Sequence, residues 1–157
     1  MNAAIVVALS IVCGIACLLI MLKITFGAVQ KKLDDAILNR FDLREIIGAT
    51  TKANFFGEKS KGGCQVRGNG ALVLTKEELF FIRAAPEKEF SIPVQNITNI
   101  SLPRSFNGKS ILHPLLCVHF RVENKEDAMA WAIKKPQRWQ KAIEAVIMSN
   151  AAPSAVS

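Results

Sequence analysis

The chain has 157 residues, a formal net charge of +7 and an isoelectric point near 9.5. Its four cysteines form no Cys-x-x-Cys motif and no Cys/His cluster, which argues against a zinc site and against a redox pair. The excess positive charge suits an anionic membrane surface or nucleic acid, and the membrane anchor described next makes us predict a membrane and no nucleic acid as partner.

The N-terminal segment contains no charged side chain before Lys23. The stretch Ala3–Leu22 is apolar apart from Ser10, and about 20 helical residues span the roughly 30 Å hydrocarbon core of a bilayer. We therefore predict a transmembrane anchor over residues 1–25. A cleaved signal peptide is disfavoured because the apolar core is long and no positive side chain precedes it, and a lipoprotein signal at Cys17 fits the pattern only loosely.

Positive side chains flank the anchor on its C-terminal side alone, at Lys23, Lys31, Lys32 and Arg40. Positively charged flanks remain in the cytoplasm. The sequence therefore predicts a single-pass membrane protein with its N-terminus outside and its C-terminal domain in the cytoplasm.

Residues 26–47 predict an amphipathic juxtamembrane helix. The apolar spacing alternates between three and four residues, which is helical, and Arg40 interrupts it. This helix has three alternative positions: packed on the following domain, which we favour, in the headgroup region, or paired with a second copy in a homodimer. The apolar stripe consists of Phe26, Val29, Leu33, Ala36, Leu43 and Ile47, widened by Ile37 and Phe41.

Residues 48–150 predict a single domain that is mainly β-structure. Short β-rich runs alternate with Gly, Asn, Pro and Lys turns, a pattern typical of a β-barrel or sandwich. The predicted strands are Thr50–Phe56, Gln65–Thr75 with a break at Gly68–Gly70, Glu78–Ala84, Glu89–Pro93, Ile97–Leu102, Leu115–Glu123 and Ala128–Ile133.

Two of these strands alternate clearly between core-facing and outward-facing side chains. The predicted core-facing residues are Leu116, Val118, Phe120 and Val122, followed by Met129, Trp131 and Ile133. The opposite face of the second strand carries Ala128, Ala130 and Ala132, which predicts that another segment packs closely there.

The C-terminal part returns to helical spacing. Pro136 suits the first turn of a helix because it lacks an N–H group, and the apolar side chains after it recur at positions typical of one amphipathic face. We predict that this helix packs on the sheet and that residues 151–157 form a disordered tail.

Several strand motifs resemble those of GRAM and bacterial pleckstrin-homology-like domains. They are Gly70-Ala71-Leu72-Val73-Leu74-Thr75, Leu79-Phe80-Phe81, and Ile92-Pro93-Val94 followed by Ile97. The resemblance covers about Arg67 to Ile147 and implies a pleckstrin-homology-like barrel of about seven strands with a C-terminal helix. It also implies a domain that binds peptides or lipid headgroups.

No catalytic set is apparent, because His113 and His119 stand alone and no nucleophile–base arrangement accompanies them. We predict no enzymatic activity, no cofactor and no metal site. The predicted function is a membrane-anchored binding module that docks a protein partner or an anionic lipid headgroup. The alternative is an accessory structural subunit of a larger membrane complex.

Four basic residues lie in the region where lipid-binding members of the resembling families carry theirs, although the spacing differs. They could contact an anionic leaflet, each contributing about 1 kcal/mol, or simply belong to a solvated loop. The candidate lipid-binding residues are Lys52, Lys59, Lys61 and Arg67.

Overall fold

The computed structural model describes residues 3–151, and only the backbone of residues 3–10. Residues 152–157 of the predicted tail lie outside the described residues, whereas Ala151 is the last residue of a helix and not part of a disordered tail. The helices and strands are α1 (Ala3–Arg40), β1 (Gly48–Glu58), β2 (Gly68–Leu74), β3 (Glu78–Ala84), β4 (Glu87–Pro93), β5 (Ile97–Ser101), β6 (Ser105–Phe106), β7 (Lys109–Ser110), β8 (Leu116–Val122), β9 (Lys125–Ala132) and α2 (Pro136–Ala151).

Helix α1 is continuous over 38 residues, so it joins the predicted anchor to the predicted juxtamembrane helix without a break. Among the described residues, α1 is the one helix that is long and apolar enough to cross a membrane. The most apolar 18 residues within its part from Ile11 onward have a mean hydropathy of 2.3, and none of them is buried. At 1.5 Å per residue the helix is about 57 Å long, which exceeds the bilayer core by roughly 27 Å.

The predicted extension of this helix to Ile47 is wrong, because α1 ends at Arg40. The Asp42 carboxylate accepts a hydrogen bond from the backbone N–H of Arg44 at 3.0 Å, and the Asp42 carbonyl accepts one from Glu45 at 2.9 Å. Such local bonds give the backbone an alternative to the helical ladder, and the chain turns toward β1.

The predicted strands are confirmed as seven members of one antiparallel sheet in the order β4-β3-β2-β1-β9-β8-β5. Strand β1 pairs with both β2 and β9, and its register shifts between Thr50 and Ala53 and again between Phe55 and Gly57. Bulges of this kind bend a strand, which lets β1 pass from one half of the sheet to the other. A short hairpin, β6–β7, forms where the sequence predicted only a turn.

The main core lies inside the curved sheet and under α2. It is rich in aromatic side chains, and the rings of Phe55 and Phe81 stack with centroids 5.6 Å apart beside the fully buried Trp131. The predicted core positions of β8 are confirmed except for Val122, which is 48% exposed because it stands at the end of the strand next to a hairpin turn.

The opposite face of β8 and β9 is also covered, as the run of alanines predicted. Ala128 and Ala130 are completely buried, which allows the segment carrying β6 and β7 to approach closely. This second cluster consists of Phe56, Leu115, Cys117, Ala128 and Ala130, with Phe106, Ile111 and Ala132 packed against it.

The C-terminal half of α1 packs on the outer face of β2 and β3, the position that the sequence analysis favours. Leu33, Ile37 and Phe41 are buried there, and the Phe41 ring meets Phe80 edge-on with centroids 5.4 Å apart. The predicted stripe is only partly correct. The contact face follows the i, i+4, i+8 spacing from Leu33, and Phe26 and Val29, which precede it, remain exposed. Because the helix stops before the end of the stripe, Leu43 and Ile47 are exposed as well.

Candidate functional site

Three connections between strands lie at the same end of the barrel. The β1–β2 and β3–β4 connections share an end because neighbouring strands are antiparallel, and Glu58 pairs with Met129, so β9 begins beyond the end of β1. The β8–β9 hairpin therefore lies at that end as well. We call residues 58–67, 83–88 and 121–127 the loop rim.

Helix α1 reaches the domain with its N-terminal side toward the loop rim. The Lys32 ammonium lies 2.6 Å from a carboxylate oxygen of Glu87 at the rim end of β4. Eight residues later, the Arg40 guanidinium contacts Glu89 at 3.0 Å and Glu78 at 3.5 Å, near the opposite end of β3. The part of α1 that precedes Lys32 therefore extends past the loop rim.

Hydrogen bonds hold the β1–β2 connection in one conformation. The Gln65 side-chain amide donates to the carbonyls of Glu58 at 2.6 Å and Gly62 at 2.5 Å. The Asn107 amide donates to the same two carbonyls at 2.9 and 3.1 Å, which ties β6–β7 to the rim. Asp127 completes the attachment by accepting the Ser60 backbone N–H at 2.9 Å.

Two lysines from different connections of the rim face each other. Lys61 lies 2.5 Å from the carboxylate of Glu58, and this hydrogen bond raises the pKa of the Lys61 ammonium above its ordinary value. The positive charge of Lys61 in turn lowers the pKa of Lys88, whose ammonium lies 4.8 Å from the centre of the Phe90 ring. An anion placed between the two ammonium groups would relieve this repulsion.

Arg83 supplies a third cation directly opposite Lys88 in the β3–β4 pair. Its guanidinium is buried and donates to the carbonyls of Pro86 and Val66, each at 2.9 Å. These bonds hold the positive charge in place without neutralising it. The three cations and Glu58 line a small cavity of about 180 Å³ above Phe90.

The structure places three of the four residues that the sequence analysis proposed at the loop rim, and one of them, Lys61, lines the cavity. Lys59, Lys61 and Arg67 lie at the loop rim, although the Arg67 guanidinium stacks 3.9 Å over the Phe56 ring, away from the cavity. Lys52 does not belong to this group. It precedes Lys59 by seven residues along an extended strand, a separation of about 20 Å, and it faces α1.

Sequence reasoning missed Arg83 and Lys88. The available signal was the segment Ala85-Pro86-Glu87-Lys88, one of the Pro and Lys turns between predicted strands, since strands that flank so short a turn pair across it. That pairing places Arg83 opposite Lys88 and both of them beside the β1–β2 connection.

A Ser–His–Cys cluster on β5 and β8 does not provide a reactive nucleophile. His119 Nε2 lies 3.1 Å from Ser101 Oγ and 3.7 Å from Cys117 Sγ. Burial raises the pKa of the Cys117 thiol, which keeps it neutral at physiological pH. Over residues 3–151, no group of three or more His, Cys, Asp and Glu side chains is arranged to hold a metal ion.

Neither a family model nor a curated protein matches the sequence. Several solved structures are similar to the chain, and two of them are described next. The Vps36 N-terminal PH domain is 13% identical, with a TM-score of 0.49, over 67% of this chain and 80% of that one. The C-terminal domain of an unknown protein from Leishmania infantum is 14% identical, with a TM-score of 0.51, over 79% of this chain and 98% of that one.

At such identities these similarities concern the fold alone. The architecture of the chain itself supports the assignment of the fold. Seven antiparallel strands form one curved sheet, and α2 packs against β5 and β8, where the sheet ends. The predicted architecture is confirmed, and the chain has a pleckstrin-homology-like fold preceded by a long apolar helix.

Proposed function

We propose that this protein is a membrane-anchored, non-enzymatic binding module whose loop rim recognises anionic lipid headgroups at the cytoplasmic face. The observation that carries the proposal is that the apolar N-terminal part of α1 lies at the same end of the domain as the loop rim. Because α1 docks with its N-terminal side toward the rim, an anchor formed by its apolar part would hold the rim against the membrane surface.

The charge of the rim supports a headgroup ligand. Lys61, Arg83 and Lys88 converge on one cavity, and Lys59 adds a cation without an ion-pair partner among residues 11–151. Each such cation contributes about 1 kcal/mol near an anionic leaflet, and the anchor raises the local headgroup concentration to the millimolar range. Even weak intrinsic affinity would then give an occupied site.

The headgroup proposal is tested on the full chain in lipid nanodiscs, with an environment-sensitive maleimide dye on Cys64. Cys64 is exposed on the β1–β2 connection and Cys117 is buried, and Cys13 and Cys17 of the apolar segment are replaced by Ala so that Cys64 alone is labelled. We expect the dye to be shielded in nanodiscs that contain anionic lipid and to be released by salt, since salt screens exposed charges. Nanodiscs of neutral lipid give the baseline.

The matched variants separate specific contact from general charge. We expect Lys61→Gln with Lys88→Gln to remove most of the shielding. Lys141→Gln, an equal change per residue on the exposed surface of α2, should leave it intact. Identical dye signals in neutral and anionic nanodiscs would exclude the headgroup proposal.

The orientation is tested by the same cysteine in intact cells. A membrane-impermeant maleimide should modify Cys64 only after the cells are permeabilised if the domain is cytoplasmic. Modification before permeabilisation would place the domain outside.

A second candidate function is that of an accessory subunit in a larger membrane complex. The observation that favours it is an exposed apolar groove beyond the docked face of α1, bordered by Leu38, Leu43 and Ile46. A detergent-solubilised particle the size of one chain, without a co-purifying protein, would count against this function and against a homodimer.

A further inference from the structure

A cleft separates α1 from the outer face of the sheet and borders the loop rim at Ala84 and Ala85. It has a volume of about 590 Å³, within the range of small-molecule sites. One wall is apolar and is formed by Phe26, Val29 and Leu33 of the helix. The other wall presents Lys52 and Asn69 from β1 and β2.

The position of the cleft along α1 matches the headgroup layer of a bilayer. Lys23 is the first charged residue of the chain and marks where the apolar segment ends. Phe26 and Val29 follow it by about 4.5 and 9 Å along the helix axis. The headgroup layer on each side of a bilayer is roughly 5–8 Å thick. The mouth of the cleft therefore opens at headgroup depth when the helix spans the membrane.

The cleft is a fixed feature of the docked helix. Leu33 and Ile37 are buried against the sheet, and the ion pair between Lys32 and Glu87 braces the helix beside the opening. A helix that only touched the domain at its end would leave no such defined space.

Lys52 borders the cleft beside an irregularity in β1, and it also lines two neighbouring surface grooves. The register with β2 shifts between Thr50 and Ala53, and the Lys52 backbone N–H bonds to the Thr50 hydroxyl at 3.2 Å. Its ammonium has no ion-pair partner among residues 11–151, so the cleft combines one unpaired cation with an apolar wall.

We infer that this cleft binds one anionic phospholipid drawn from the adjacent leaflet. The phosphate lies at Lys52, and the glycerol and upper acyl chain lie against Phe26 and Val29. This inference rests on the proposed membrane position of α1, but it concerns a site distinct from the cavity lined by Lys61, Arg83 and Lys88. Its function would be to fix the domain to the bilayer by a bound lipid as well as by the helix.

The test is the lipid that accompanies the full chain through purification in mild detergent, measured by native mass spectrometry and by extraction. The wild-type protein should retain about one phospholipid per chain, enriched in anionic headgroups relative to the membrane of origin. Val29→Trp fills the cleft and should lower that occupancy at least tenfold. Lys52→Gln should retain a lipid while lowering the anionic enrichment about fivefold.

Matched variants control for the size and charge changes. Leu38→Trp places the same bulk on an exposed position of α1 outside the cleft, and Lys141→Gln removes a charge from α2. Both should behave like the wild type. Wild-type protein free of lipid, or equal occupancy in the wild type and Val29→Trp, would overturn the inference.

The two proposals fail separately. If the Cys64 dye still reports anionic lipid while the cleft carries none, only the cleft inference is wrong. If the full chain is extracted from membranes by carbonate, both the anchor and the cleft ligand are excluded.

Discussion

The two halves of α1 use one continuous helix in opposite ways. From residue 11 to residue 22, apolar side chains point in every direction around the helix, and Ile11 and Leu18 are 57% and 61% exposed. In the second half a narrow stripe is buried, with Leu33 at 3% and Ile37 at 5%. The second half packs on the sheet of the same chain, whereas the described side chains of the first half have no such contact.

The difference between the two halves of α1 bears on the orientation of the domain relative to the helix. A flexible tether would leave the barrel free to rotate beneath the membrane. Because α1 docks on β2 and β3 without a break, the direction of the helix fixes the orientation of the barrel relative to it. Under the proposed anchoring, the docked face of α1 determines which end of the barrel would meet the lipid.

The largest expected effect comes from a charge placed in the first half. Val12→Arg puts a cation near the centre of the apolar segment, which costs about 3 kcal/mol of insertion free energy. We expect a marked loss of the carbonate-resistant fraction of the full chain. Ile24→Arg is the control, because its side chain lies next to Lys23 and reaches the interface. Equal loss in both variants would contradict a bilayer environment for Val12.

The next effect concerns the docked half. Ile37→Ala removes buried methyl and methylene groups and should lower the free energy of unfolding by about 2 kcal/mol. Leu38→Ala, at the adjacent exposed position, should change it by less than about 0.5 kcal/mol. Denaturant titration of the full chain in detergent measures both. A similar loss from the two variants would mean that α1 does not dock through this face.

A smaller effect on stability is expected at the loop rim, where Asp127 accepts a hydrogen bond from the β1–β2 connection. Burial alone would raise the pKa of Asp127, but hydrogen bonds from Ser60 and Ala128 bring it below its ordinary value. A carboxyl with a lowered pKa stabilises the fold above its unfolded-state pKa of about 3.9, and that stability is lost as the pH falls through the folded-state pKa.

Asp127→Asn should therefore destabilise the protein by about 1 kcal/mol at pH 7 and hardly at all near pH 2. Unfolding midpoints of the variant and the wild type at the two pH values give the comparison. A difference that is independent of pH would show that the carboxylate charge does not hold the β1–β2 connection.

The smallest effect belongs to the ion pairs of Arg40. The pair with Glu89 is exposed to solvent and the pair with Glu78 is partly exposed, so Arg40→Gln should cost only about 0.5 kcal/mol, and added salt should reduce that cost. Unfolding at low and high salt measures it. A loss as large as that of Ile37→Ala would mean that charge, and not apolar burial, holds the docked half in place.

Much of the fold could be predicted because strand and helix periods are properties of short segments. The alternation of Leu116, Val118 and Phe120 predicts one buried face wherever the strand is placed. The docked face of α1 could not be predicted in the same way. Leu43 and Ile47 are as apolar as Leu33 and Ile37, and only the turn at Asp42 removes them from the helix.

The candidate site was predictable only in part, for a related reason. Lys52 and Lys59 are close in the sequence, yet an extended strand carries them about 20 Å apart. Lys61 and Lys88 are distant in the sequence, yet the pairing of β1 to β2 to β3 to β4 places them face to face.

The sequence by itself determined the elements: an uncharged segment long enough to cross a bilayer, seven strands and a final amphipathic helix, since each depends on local composition and period. Only the tertiary structure decided which stripe of α1 is buried, which cations share a cavity, and where Lys52 points. Those outcomes depend on strand register and on surface complementarity between segments far apart in the chain, and neither is written in the pattern of any one segment.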